Sequence, residues 1–190
     1  MELYSFDYKC DNLPFFIAKS IEKIVKGPAE SLAFIFVGSD GNIGDSLAPL
    51  CGSLLKINSG KVFVYGNLFS TICAKEVPYA VEFLKKCHPG TLSIVIDAAL
   101  GKKEDVGVIK VQAGGIKPGL GVNKNLPKTG DISVLGVLGE KRSNGKALTH
   151  SRLSTVYKMA ENIAKGLEIF VQINENALRR NKESNIGLNY

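Results

Sequence analysis

The chain has 190 residues, 45% of them hydrophobic and 22% charged, with a formal net charge of +6. That length suits one domain with a core large enough to need no staples, and the composition argues against a disordered or disulfide-built chain. No apolar run approaches the ~20 residues of a membrane helix, and Met1-Glu2-Leu3-Tyr4-Ser5-Phe6-Asp7 lacks the basic start and apolar core of a signal peptide. A cytoplasmic protein without a membrane partner is therefore expected.

In chain order, a first helix is expected over residues 12–26, where Phe16, Ile17, Ile21, Ile24 and Val25 recur at helical spacing before Gly27-Pro28 stops it. Residues 32–37 read as a buried strand, residues 46–56 as a helix with Leu47, Leu50, Leu54 and Leu55 on one side, and residues 61–65 as a short strand. Residues 75–87 read as a helix with Pro78 in its first turn. Residues 92–96 are apolar enough for a central strand covered on both faces, and residues 106–111 suit a shorter strand nearer an edge. A glycine- and proline-rich segment spans residues 113–131. A strand over 132–138 and a long helix over 148–171 follow, and a polar tail with Arg179, Arg180 and Lys182 is expected to fray over 176–190.

Alternating strands and helices predict a single α/β domain over residues 1–190: three α/β/α layers around a mostly parallel twisted sheet of about five strands. The basic residues are dispersed, as in Lys85-Lys86 and Lys102-Lys103, which suits a solvated surface and gives no reason to expect direct contact with nucleic acid. The cysteines, Cys10, Cys51, Cys73 and Cys87, form no CxxC pair or metal-ligand spacing and read as free thiols. No G-x-G-x-x-G follows a strand, and no G-K-[ST] occurs, so the common phosphate-binding loops are unsupported. His88 precedes the strand at 92–96, at the rim opposite that strand's end, and His150 sits near the start of the long helix. A Ser-His-Asp triad has no suitable histidine.

Two carboxylates stand out. Asp45 closes the loop after the strand at 32–37, and Asp97 directly follows the strand at 92–96. Ligands of open parallel sheets bind where such strand ends converge. With Ser46 as N-cap, Pro49 falls at the third helical position and costs no intrahelical bond, and Asp45 lies just outside the helix, whose positive end favours an anion. Asp97 ends a buried strand, where burial disfavours the charged form. Environments that separate two carboxyls in this way divide acid from base, which points to hydrolysis. Loop amides of residues 38–44 are candidate oxyanion donors. Ser39, Asp40, Asn42 and Asn67, together with Lys117 and Asn123 of the glycine-rich segment, are candidate substrate contacts. No cofactor is expected, although a divalent metal such as nickel or zinc stays open.

Several stretches resemble the YyaC family of sporulation proteins, relatives of germination protease. They are Val37-Gly38-Ser39-Asp40, Gly44-Asp45-Ser46-Leu47-Ala48-Pro49-Leu50, Val64-Tyr65-Gly66-Asn67-Leu68, Ile96-Asp97-Ala98-Ala99-Leu100-Gly101 and Val106-Gly107-Val108-Ile109, with the longest at Lys117-Pro118-Gly119-Leu120-Gly121-Val122-Asn123-Lys124-Asn125-Leu126-Pro127. The resemblance implies the fold shared by germination protease and the hydrogenase-maturation endopeptidases. It also implies that Asp45 and Asp97 match the two aspartates of germination protease, which degrades small acid-soluble spore proteins. In the hydrogenase-maturation enzymes the matching acids help to bind nickel with a histidine; this chain has none in the segments that directly follow the strands at 92–96 and 106–111. The implied function is an aspartate-dependent endopeptidase acting on a protein or peptide of the spore, in the mother cell or forespore. A non-catalytic protein that binds a spore peptide in the same crevice is the alternative.

Overall fold

The computed structural model describes residues 2–116, 129–141 and 151–186. Strand β1 (Leu3–Asp7) is followed by helix α1 (Leu13–Val25), strand β2 (Leu32–Phe36), helix α2 (Leu47–Leu54), strand β3 (Val62–Tyr65) and helix α3 (Val77–Cys87). Strand β4 (Leu92–Gly101), a 3-10 turn (Lys103–Asp105), strands β5 (Val108–Ala113) and β6 (Ile132–Glu140) and helix α4 (Leu153–Ile186) complete the described elements. The strands form one sheet in the order β1-β5-β6-β4-β2-β3. β3, β2, β4 and β6 run parallel, while β5 and β1 pair antiparallel.

The mostly parallel α/β/α sandwich expected from the alternation of elements is present, with six strands instead of about five. Helices α1, α2 and α4 bury Ile17, Leu47, Ala48, Ile163 and Leu167 against Phe34, Phe36, Ile94, Ile96 and Val134 on one face. On the other face, Val77 and Leu84 of α3 meet Ala33, Ile35, Val37 and Val95. All five residues of β2 are buried, as a strand covered on both sides requires.

Two expectations are corrected. Residues 3–7 form a strand that hydrophobicity alone hides, because only alternate residues, Tyr4 and Phe6, turn toward the core. β1 pairs outside β5, which is short and lies second from the edge, as residues 106–111 were expected to. Helix α4 continues through Ile186 instead of fraying beyond Asn174. No glycine or proline interrupts it between Gly166 and Gly187, and residues of high helix propensity keep its exposed turns wound. The tail also has a fastening: Asn174, 5% exposed, accepts from the Ala29 N–H (2.8 Å) and donates to the Ala29 carbonyl (2.9 Å).

Two glycines let helices approach closely enough to fix the frame. A side chain at Gly136 of β6 would overlap Leu47 at the start of α2, and one at Gly166 would press on Ile17 and the Pro14 carbonyl of α1 at 2.8–3.1 Å. Because α2 rests directly on β6 at Gly136, the first turn of that helix is held above the middle of the sheet.

Asn174→Ala removes both partners from the Ala29 backbone. Leaving such groups unpaired costs ~1–3 kcal/mol, so the urea midpoint is expected to fall by that equivalent with the slope unchanged.

Candidate active site at the carboxyl rim of the sheet

The loop between β2 and α2 is shaped by its own short-range bonds. Asn42 Oδ1 accepts from the Gly44 N–H (2.9 Å), the Ser46 N–H donates to the Asn42 carbonyl (3.0 Å), and Ser46 Oγ donates to the Ile43 carbonyl (2.8 Å). Ser46 is the N-cap residue of α2 with Pro49 at the third helical position, the register the proline requires. Asp45 is thereby released from capping.

Gly38 ties this loop to the sheet. A Cβ there would overlap the Asp45 carbonyl oxygen and lie 3.0 Å from Pro49 Cδ, so only a glycine lets the loop close back on the end of β2. The opposite side is strapped as well. Val37 bridges to Ile72, and the Gly38 N–H donates to the Ile72 carbonyl (3.0 Å), drawing the loop that follows β3 to the same rim. Sequence reading missed this strap, because Ile72 is one apolar residue in an irregular stretch.

Asp97 is not in a loop after a strand ending at Ile96; it lies inside β4, which runs to Gly101. It pairs with Leu135 of β6, one residue beyond the last β2 partner, the Phe36–Ile96 pair. Alternation puts Asp97 on the α3 face with Val95, whereas Ala98 follows Ile96 onto the other face. The Asp97 carboxyl is held well above the usual carboxylate range, first because burial disfavours its charge and second because the charge of Asp45 repels it. A bond from the Ala98 N–H opposes both effects without cancelling them. Asp97 keeps some solvent contact, yet its carboxyl end sits deep among protein atoms. The two carboxyls thus lie close enough at one rim to interact.

The other candidates divide. Ser39 and Asp40 lie on the Asp45 loop, half-exposed and exposed. Asn42 braces that loop. Asn67 braces its own turn: its Oδ1 accepts from Phe69 N–H (2.8 Å) and Ser70 N–H (2.9 Å), so its oxygen is spent locally. Lys117, Asn123 and His150 lie outside the described residues. His88 stacks on Phe63 with ring centroids 3.6 Å apart, away from the carboxylates. The oxyanion expectation narrows, since the Gly38 and Gly44 N–H groups are already committed. All four cysteines are free, and burial pushes the Cys51 thiol up.

A family described as a protein of unknown function, DUF1256, matches residues 4–166. The chain belongs to this family. It is similar to the uncharacterized protein YyaC of Bacillus subtilis (strain 168), at 32% identity over 159 residues that cover 80% of this chain and 78% of that protein. Among solved structures it is similar to the NiFe hydrogenase maturation protease HycI from Thermococcus kodakarensis KOD1, with a TM-score of 0.52 and 16% identity, covering 79% of this chain and 97% of that one. The second likeness is one of fold. The family and fold expected from the sequence motifs are both found.

A metal site of the kind implied by the hydrogenase-maturation enzymes would need further ligands beside the two aspartates. Among the described residues of this DUF1256 chain, no three His, Cys, Asp or Glu side chains gather into a ligand group, so the described donors do not fit such a centre. Among the same residues, no helix is long and apolar enough to cross a membrane.

Two outcomes test this geometry. Asp97 has a folded-state pKa above its unfolded value, so its stabilising contribution is complete below the unfolded pKa of ~3.9 and is lost as pH rises through the folded one. Asp97→Asn is therefore expected to raise Tm at neutral pH by a few °C, on the order of 1 kcal/mol, with the gain shrinking in scans toward pH ~4. Gly38→Ala is expected to cost ~1–3 kcal/mol in urea unfolding. Gly41→Ala, with only Ser39 Oγ near at 3.9 Å, should be close to neutral.

Proposed function

We propose that the chain is an aspartate-dependent endopeptidase of sporulating bacteria, using Asp45 and Asp97 as a coupled base and acid on small acid-soluble spore proteins or another spore protein. The observation that carries this reading is the Asp97 carboxyl, kept toward its protonated form by burial and by the neighbouring charge of Asp45. A carboxyl kept protonated beside a second carboxylate is the arrangement that separates a proton donor from a base. The fold shared with HycI, a maturation protease, supports the same reaction class.

In the proposed step, charged Asp45 takes a proton from water as the water oxygen attacks the peptide carbonyl carbon. Asp97 gives its proton to the leaving nitrogen as the C–N bond breaks. Transfer of the proton held by Asp45 back to Asp97 restores the starting state. The amides of residues 39–43, which have no backbone partner among the described residues, are the donors available to the developing oxyanion. Ser39 and Asp40 flank that position, and Lys117 and Asn123 remain proposed substrate contacts.

The test is mass spectrometry of a small acid-soluble spore protein incubated with the purified chain. Asp45→Asn and Asp97→Asn are each expected to lower kcat by about 10²–10⁴ with the circular dichroism spectrum retained. The wild-type rate is expected to fall as pH rises through the raised pKa of Asp97, because the proton donor is then lost. Full cleavage by both variants overturns the scheme. Binding without product, indifferent to both substitutions, identifies a non-catalytic spore-peptide binder instead.

A further inference from the structure

β4 outlasts its neighbour. On one side, its pairing with β6 extends from Ile94 to Gly101. On the other, pairing with β2 stops at Ile96, followed by a last bond from the Val37 N–H to the Ile96 carbonyl (2.9 Å). The chain then leaves the sheet at Gly38. A residue in a strand directs its N–H and C=O to the same side, and successive residues alternate. The Ile96 carbonyl faces β2, so Ala98 and Leu100 face that side too; the Gly101 carbonyl, which accepts from the Lys141 N–H (2.8 Å), faces β6.

Among the described residues, β2 pairs with no residue of β4 beyond Ile96, and no loop backbone group bonds the Ala98 carbonyl or the Leu100 N–H and carbonyl on that side. The Ala98 N–H is turned onto the Asp97 carboxyl. A central strand therefore carries a short open edge directly beside the carboxylate pair. The Ala98 and Ala99 side chains leave room along it, and the Asp45 loop bounds the far side. Outer edges of sheets are commonly managed by charge, proline or bulges. This one is internal, where β2 leaves the sheet, and a strand added to it would lie ~4.8 Å from β4.

From the open Ala98–Leu100 edge and its place against Asp97 and Asp45, we infer that β4 receives an extended segment of the polypeptide substrate as an added strand, held by main-chain hydrogen bonds. The inference rests on the endopeptidase reading and adds how the substrate is held. An extended chain offers the matching alternation of donors and acceptors, and pairing there carries its backbone past the two carboxyls. Recognition is then by main chain, tolerant of side-chain identity and intolerant of proline or a blocked amide at the pairing positions.

The probe is a fluorescein-labelled octapeptide of alternating Thr and Leu, with versions N-methylated at one central amide each. Binding to the full-length wild-type chain is followed by anisotropy and cleavage by mass spectrometry. N-methylation at every second amide is expected to weaken binding about tenfold, the worth of one hydrogen bond, with the intervening amides near neutral. Saturating peptide is expected to slow hydrogen exchange of the Leu100 amide. Periodic binding without cleavage supports the added strand while overturning the endopeptidase reading. Cleavage without the alternation, or an unchanged Leu100 amide under saturating peptide, overturns the added strand. No binding at millimolar peptide overturns it as well.

Discussion

At the end of β2, the backbone of Gly38 lies directly under the Asp45 carbonyl, with no space for even a methyl group between them. Much of the rim depends on that contact. It folds the β2–α2 loop back over the sheet, sets the first turn of α2 beside Pro49, and brings Asp45 to within electrostatic reach of Asp97. The bond from Gly38 to the Ile72 carbonyl fastens the loop after β3 to the same place. Close packing of α2 on β6 at Gly136 keeps the helix from moving away and taking Asp45 with it. Two backbone approaches, each made possible by a missing side chain, thus position one carboxylate.

The other carboxylate is positioned against its own preference. A carboxyl in an apolar core loses the solvation of its charge, and a second negative charge nearby adds to that loss. Only one opposing bond, from the Ala98 N–H, is offered to it. Several other acids have partners: Asp105 meets Lys110 at 2.8 Å, and Glu161 lies between Lys158 and Lys165 at 3.0 and 2.9 Å. Those pairs are exposed or half-exposed and contribute little. Asp97 is treated differently in an otherwise well-satisfied molecule, and stability surrendered at one buried acid is a common mark of a reactive site.

The parallel core was legible because its signal is redundant. Residues 32–37 and 92–96 are apolar at nearly every position, and no helix of that length fits between the surrounding turns. The register of α2 was legible from a single residue, since Pro49 is tolerated only in the first turn. β1 was not, because a strand buried on one side spreads its signal over Tyr4 and Phe6 alone. Nor was the far half of β4 legible: Asp97-Ala98-Ala99-Leu100-Gly101 reads as a loop, and only its pairing with β6 makes it a strand. Asn42 and Asn67 show the limit at the site. Composition marks both as polar residues on rim loops, but the geometry engages each side-chain oxygen in its own turn.

The unequal lengths of β2 and β4 give these details a common origin. Had β2 continued beside β4 to Gly101, the Ala98 and Leu100 backbone groups would have been paired within the sheet, and the Asp45 loop would have begun several residues farther from Asp97. By ending at Phe36 and turning at Gly38, β2 does two things in one step. It brings a loop acid down to the level of an acid inside the neighbouring strand, and it exposes that strand's edge where the acids meet. A cleft made by stopping one central strand early has a main-chain wall on one side and a loop wall on the other, and the two walls differ in what they constrain. The main-chain wall fixes direction and register through hydrogen bonds common to any extended polypeptide. The loop wall is where side chains vary freely, so on the proposed endopeptidase reading selectivity belongs to residues 39–43.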